Sequence, residues 1–328
     1  MSITRKGFNP SSKANNDTGF GTGVSANGGR FVNRDGSFNL VKEGASFWDR
    51  FSLFHSMLNM SVWKFIGVIV LFYLAINLVY TSIYFAVGIG SDSFQGIIGV
   101  TAWQRFKEIY FFSTETFTTV GYGRVNPIGD GVNMVAAIEA MSGFLSFAVA
   151  TGLIYGRFAK PKSHIVFSDR ALIAPFQEKS ALMFRLASYK DNHNLTSAEI
   201  KVNLAMQQEV NGKMTYQFFE LELERSKVDT LMMNWTVVHP ITENSPLNGF
   251  SPDDYRTADV EVYVQVRGYD DVYSTNVIQR TSYTYEEIIF DAKFISMYHE
   301  SEDRRTTILE LDKLSAYKTL STQETIKS

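Results

Sequence analysis

Two stretches of this chain are apolar without interruption, and most of the rest alternates. Residues 65–91 hold no charged side chain, and residues 131–156 hold one, Glu139. Each exceeds the roughly 20 residues needed to cross the hydrocarbon core of a bilayer, so the pattern predicts spanning helices over 62–88 and 131–157. Between them, 104–118 has helical spacing but is too short to cross, so a helix there must re-enter and be buried by protein. Upstream, Phe47, Phe51, Phe54 and Leu58 recur at helical intervals beside the first span, which suits an interfacial helix over 46–60. From residue 163 the period falls to two. Strands are expected over 164–168, 171–176, 181–188, 198–209, 214–223, 234–239, 260–267 and 287–294. Such short runs, separated by Gly, Asn, Asp or Pro, predict a β-sandwich. Ser251-Pro252-Asp253-Asp254 marks one helical insert. Residues 1–30 lack any apolar period and read as disordered, while 30–40 alternate about an Asp35-Gly36 turn. The expected organisation is a flexible segment with a short strand (1–45), the interfacial helix (46–60), a membrane domain (61–158), the sandwich (159–300) and a tail (301–328).

Composition changes this picture in a few places. The mean hydropathy of -0.08 averages over two unlike halves. A net charge of -3 argues against a nucleic-acid partner, and with no cysteine neither disulfides nor thiolate metal sites are available. The glycines of Gly19-Phe20-Gly21-Thr22-Gly23 follow no strand, so they read as linker rather than phosphate cradle. With no nucleotide loop, catalytic elbow or metal-spaced histidines, nothing points to an enzyme. The first apolar run starts too far into the chain for a cleavable signal peptide. Arg50 and Lys64 precede the first span and Arg157, Lys160 and Lys162 follow the second. By the positive-inside rule both termini are then cytoplasmic in a multi-pass membrane protein, with 92–130 as the external loop. No span is rich in arginine, which excludes a voltage sensor.

The external loop holds Thr119-Val120-Gly121-Tyr122-Gly123, directly after the short helix. Rings of backbone carbonyls from four TVGYG loops replace the hydration shell of potassium. Gly121 and Gly123 permit the backbone angles this needs. The candidate K+ ligands are the carbonyls of Thr119, Val120, Gly121 and Tyr122 with the Thr119 hydroxyl. One loop offers one oxygen per layer, so a cage requires a homotetramer. The carbonyl end of the short helix favours a cation nearby. Glu115 is costly there unless paired, and Arg124 is the nearest basic candidate. In the second span a stripe through Glu139, Gly143, Ser146 or Phe147, Ala150 and Ile154 or Tyr155 is expected to line an inner conduit. Small Gly143 allows close packing or bending, and Tyr155 rings are expected to close the mouth by dewetting, with a lipid-facing aromatic at the interface as the other reading. His55 and His239 are candidates for titration that tunes gating, with an ordinary structural role as the other reading.

Beyond the filter string, the chain carries Gly156-Arg157-Phe158-Ala159-Lys160-Pro161, Trp235-Thr236-Val237-Val238-His239-Pro240-Ile241 and Ser245-Pro246-Leu247-Asn248-Gly249. On these it resembles the prokaryotic inward-rectifier potassium channels, the KirBac group of the Kir family, over roughly residues 30–300. The resemblance implies a homotetramer with slide helix, two spans and a cytoplasmic immunoglobulin-like sandwich that extends the pore, and closeness to the bacterial group, with the absence of cysteine, points to a prokaryotic plasma (inner) membrane. It also implies an aromatic gate, which maps onto Tyr155, and a narrow cytoplasmic loop around Gly268. Phe147 occupies the position that is acidic in strong rectifiers, which leaves Glu139 as the only acid of the span and implies weak block by magnesium or polyamines. Barium is a further expected blocker. Anionic lipid is implied at the slide helix and span ends, where Arg50, Lys64, Arg157, Lys160 and Lys162 are the candidate ligands. The competing class is a non-conducting membrane receptor or regulatory channel subunit.

Overall fold

A computed structural model describes residues 9, 12, 15, 30–44, 46, 52–88, 93–191, 193–210 and 213–320. They fall into two compact units, one made of Glu43–Lys160 and the other of Pro161 onward together with the N-terminal residues to Lys42. Apart from residues 9, 12, 15 and 30, the expected disorder over 1–30 lies outside the described residues, as do the Gly19–Gly23 linker, Arg50 and residues 47–51 of the interfacial helix.

The first unit is helical. Its two long helices, Val62–Gly88 and Asp130–Phe158, are apolar and long enough to cross a membrane. Between them lies the short helix Ala102–Phe117, which opens on a capping box: the Thr101 hydroxyl accepts from the Gln104 amide, and the Gln104 side chain accepts from the Thr101 amide. Tyr84, Phe94 and Phe112 meet edge to face at ring separations of 5.3–5.5 Å, the preferred geometry for aromatic pairs. Helix Leu53–Asn59, capped by the Ser52 hydroxyl, packs Met57 against Phe65 and Leu153. Its last carbonyls are the groups a helix end leaves unpaired. Arg157 meets them, donating to Met57 O at 2.6 Å and Met60 O at 2.8 Å, with its guanidinium 4.7 Å from the Phe65 ring centroid.

Two strands of this unit bracket the filter string. Strand β1 (Phe94–Gln95) pairs antiparallel with β2 (Asn126–Pro127), so the chain entering the short helix is stitched to the chain leaving Gly123. Gly96, at φ 89°, lets Arg124 O approach to where a Cβ would lie only 1.8 Å away. No other residue fits there.

The second unit is a sandwich of two five-stranded sheets. In chain order its strands begin with β3 (Ile165–Phe167), β4 (Ala171–Phe176), β5 (Lys179–Ser188), β6 (Leu195–Val210) and β7 (Lys213–Glu220). There follow β8 (Lys227–Leu231), β9 (Trp235–Pro240), β10 (Glu261–Asp270), β11 (Thr275–Thr284) and β12 (Ile288–Phe290). One sheet runs β11-β10-β6-β7 with β8 also on β6, and the other β12-β4-β5-β3 with β9 also on β5. All pairs are antiparallel except β12 with β4. Inward-facing residues of both sheets, among them Phe184, Leu186, Ile200, Leu204, Val237, Val262 and Val264, form one continuous core. The expected helical insert is Pro252–Thr257, capped by Ser251 and Asp254. The expected turn at Asp35-Gly36 is present: Val32 bridges Phe38, and Gly36 sits at φ 83°.

Three expectations are corrected. The run 287–294 is not one strand: Asp291 at φ 49° divides β12 from β13 (Ala292–Phe294). Nor is the stretch beyond 300 a tail throughout. It holds β15 (Thr307–Leu309), which pairs with β14 (Tyr298–Glu300), and β16 (Tyr317–Thr319), which pairs with β13. Gly268 is in no turn; it lies inside β10 at a bulge against β6, where a Cβ would meet Leu195 Cδ2 at 2.6 Å. The turn of that hairpin is 271–274.

Candidate functional site

The backbone of 119–123 has an alternation seen nowhere else among the described residues. Thr119, Gly121 and Gly123 have φ of 61°, 54° and 79°, while Val120 and Tyr122 between them do not enter the positive region. Reversing hand at every residue turns successive carbonyls toward one edge rather than to opposite edges as in a strand. For the two glycines this conformation is free, and both have open space around them. For β-branched Thr119 it is strained, at about 1–3 kcal/mol.

The amides are turned the other way. Thr119 N donates to Thr116 O (3.0 Å), Val120 N to Glu115 O (2.9 Å) and Gly121 N to the same oxygen (3.3 Å). These bonds extend the end of helix Ala102–Phe117 into the loop and hold its backbone. The carbonyls of Thr119, Val120, Gly121 and Tyr122 accept no hydrogen bond among the described residues. Gly123 O is engaged by Asn126 Nδ2 at 2.9 Å. Four adjacent oxygens are thus oriented and unpaired, next to the carbonyl end of a helix, which is a donor set for a hard cation without its water.

The surrounding charges differ from expectation. Arg124 does not pair with Glu115. Its guanidinium reaches Glu108 at 3.6 Å and Gly96 O at 3.3 Å, because the β1–β2 clamp draws the chain after the filter toward the start of the short helix. With Arg124 half exposed, that ion pair is worth about 0–1 kcal/mol. Glu115 is half-buried, and what holds it at the site is its backbone carbonyl, which caps Val120 and Gly121.

The expected stripe of the second span divides between two faces. Glu139 and Gly143 are buried within the chain and look toward the short helix, whereas Phe147 and Tyr155 are each 73% exposed. Gly143 explains the division: a Cβ there would sit 2.0 Å from Phe117 O, so only glycine lets the second span meet the end of the short helix. Glu139 accepts from the Tyr84 hydroxyl at 2.5 Å, and its other carboxyl oxygen is hydrogen-bonded to the Ser113 hydroxyl. Neither residue is therefore available to line a conduit with Phe147 and Tyr155. Sequence reading missed Asn77 and Ser113, both fully buried. Polar side chains within an apolar run were the signal.

Of the basic residues, Lys64 is exposed, and Lys160 is exposed with its Nζ 2.5 Å from Asn59 Oδ1. Arg157 is occupied by Met57 and Met60, and Lys162 belongs to the second unit. His55 is exposed. His239 is buried, with Nδ1 2.6 Å from Glu222 O and Nε2 2.8 Å from Ser245 Oγ, and burial lowers its pKa below 6.5. Locked at both nitrogens, it fits the structural role. Among the described residues no three His, Asp or Glu side chains are grouped to hold a metal.

Two family models match the chain, "Ion channel" over residues 59–160 and "Inward rectifier potassium channel C-terminal domain" over 165–325. The inward rectifier potassium channel Kirbac3.1 of Paramagnetospirillum magnetotacticum is 32% identical over 85% of this chain and 92% of its own length. The ATP-sensitive inward rectifier potassium channel 12 of Gallus gallus is 25% identical over 66% of this chain and 52% of its own, and the human protein of that name 26% over 61% and 48%. With both units matched in order and a relative of this identity spanning nearly all of it, the chain belongs to the inward rectifier potassium channel family.

Proposed function

We propose that four copies of this chain assemble around an axis and conduct potassium passively through stacked rings of the Thr119–Tyr122 carbonyls and the Thr119 hydroxyls. The observation that carries this reading is the alternating hand of Thr119, Gly121 and Gly123, with amides tied back to Glu115 and Thr116 and carbonyls left unpaired. Ions in such rings move by mutual displacement between adjacent sites. Phe147 and Tyr155, exposed on one chain, face the conduit in the tetramer, and the Tyr155 rings form the inner gate. Lys64 and Lys160 draw anionic lipid to the inner leaflet, each worth about 1 kcal/mol there. The termini are cytoplasmic, as the basic residues at the outer ends of the spans imply.

Rubidium uptake into liposomes holding the purified protein tests the reading. Barium-sensitive uptake that potassium suppresses and sodium does not is the expected result. A tetramer with no uptake across several anionic-lipid mixtures would overturn it in favour of a silent receptor. Rectification is weak in this reading, because Glu139 is buried and Phe147 offers no carboxylate to magnesium or polyamine. Phe147→Asp is expected to gain outward block by spermine, and an unblocked variant would refute the assignment of Phe147 to the cavity.

A further inference from the structure

The only acidic side chain in the middle of the second span is fully buried, although an unpaired carboxyl at membrane depth is expensive. Its surroundings account for it. One carboxyl oxygen accepts from the Tyr84 hydroxyl on the first span at 2.5 Å, and the other is hydrogen-bonded to the Ser113 hydroxyl on the short helix. Ser113 Oγ also lies 3.0 Å from Asn77 Oδ1, whose amide nitrogen is committed to Tyr73 O at 2.7 Å. A serine hydroxyl has one proton to give, and here three oxygens face it: the Glu139 carboxyl, Asn77 Oδ1 and, at 3.3 Å, Asn77 O, which already accepts from the Thr81 hydroxyl at 2.6 Å. The chain of hydrogen bonds closes when Glu139 supplies the second proton as a neutral acid. Ser142 reinforces the junction, donating to Glu139 O at 2.8 Å and lying 2.9 Å from the Tyr80 hydroxyl. One residue further on, Gly143 lies against Phe117 O. Both spans and the short helix are thus bonded together immediately before the filter string.

We propose that Glu139 is a positioning residue of the conduction site, a neutral hydrogen-bond connector that fixes the height and rotation of helix Ala102–Phe117, and with it the carbonyls of 119–122. It touches no conducted ion. This rests on the reading of 119–123 as the filter.

The test compares Glu139→Leu and Glu139→Gln with the parent in liposomes, reading the ratio of potassium to sodium competition against rubidium uptake, with tetramer content measured alongside. Leucine has a similar volume and removes both bonds. It is expected to leave a tetramer whose discrimination falls about ten-fold, the scale of a few membrane hydrogen bonds. Glutamine accepts from Tyr84 and donates to Ser113, so it is expected to stay within about two-fold of the parent. Should the leucine variant fail to assemble, Ser113→Ala and Tyr84→Phe each delete one bond to Glu139 and are expected to lower discrimination about three-fold. A tetrameric Glu139→Leu or Ser113→Ala with parental discrimination overturns the proposal. So does a glutamine variant as poor as the leucine one, which would assign the effect to charge. A parent that discriminates nothing overturns the filter reading itself, and it does so without any variant.

Discussion

The two units are built on opposite plans. In the sandwich the apolar residues are inside: Phe184 is 1% exposed, Leu186 and Leu204 0%. In the membrane unit Leu71 is 68% exposed and Phe144 65%, while Asn77, Thr81, Ser113 and Glu139 are completely buried. Water excludes apolar surface and so assembles the first kind of core. Hydrocarbon does not, and there polar contacts and close packing have to hold helices together. The same residue type therefore carries different weight in each unit.

Several substitutions measure that difference. The largest effect is expected inside the sandwich, where Phe184→Ala leaves a cavity in a dry core and should cost about 3–5 kcal/mol in denaturant unfolding. Gly143→Val places side-chain atoms on Phe117 O. Overpacking of this kind costs about 1–3 kcal/mol and should show as lost tetramer and lost rubidium uptake. Tyr84→Phe removes one buried hydrogen bond with hardly any change of shape, and about 1 kcal/mol is expected in helix-unfolding assays in detergent. Leu71→Ala, exposed on the first span, should change stability by less than about 0.5 kcal/mol. A large loss there would break the comparison.

Acidity sharpens it further. Burial lowers the pKa of His164, helped by neighbouring His193 and Lys190, and burial likewise lowers that of His239 against the Glu222 carbonyl. The unfolded chain then binds the extra protons. The stability they contribute is complete above pH 6.5, their ordinary value, and declines as pH falls below it. Burial of Glu261 acts in the opposite sense, since its raised pKa favours the folded state toward acid. Melting of the sandwich should therefore be compared between the parent and His239→Gln, and the variant should show the flatter dependence below pH 6.5.

Elements with a strong period were legible in the sequence: both spans, the short helix and most strands of the two sheets. What escaped was set by tertiary contact. Strand Thr275–Thr284 is largely polar, and only pairing with β10 along its whole length makes it a strand. Gly268 looked like a turn residue, yet it serves the approach of Leu195. Within the site, the string 119–123 was readable because its backbone angles follow from local composition. Arg124 and Glu139 were not, since their partners Glu108, Tyr84 and Ser113 are chosen by how the helices pack.

The second span has one mechanical consequence. It is clamped near the filter, where Gly143 is wedged under Phe117 O, and again near its end, where Arg157 grips Met57 and Met60 and Gly156 lies 3.2 Å, measured from an added Cβ, from Leu58. Between the clamps Phe144, Leu145, Phe147, Ala148, Val149, Thr151 and Gly152 are exposed. A beam fixed at both ends yields between its clamps, here before Leu153, which packs on Met57 and Phe65. Displacement of one clamp relative to the other would be taken up over those residues, and Gly152, with nothing within 4 Å of an added Cβ, leaves the most room for it.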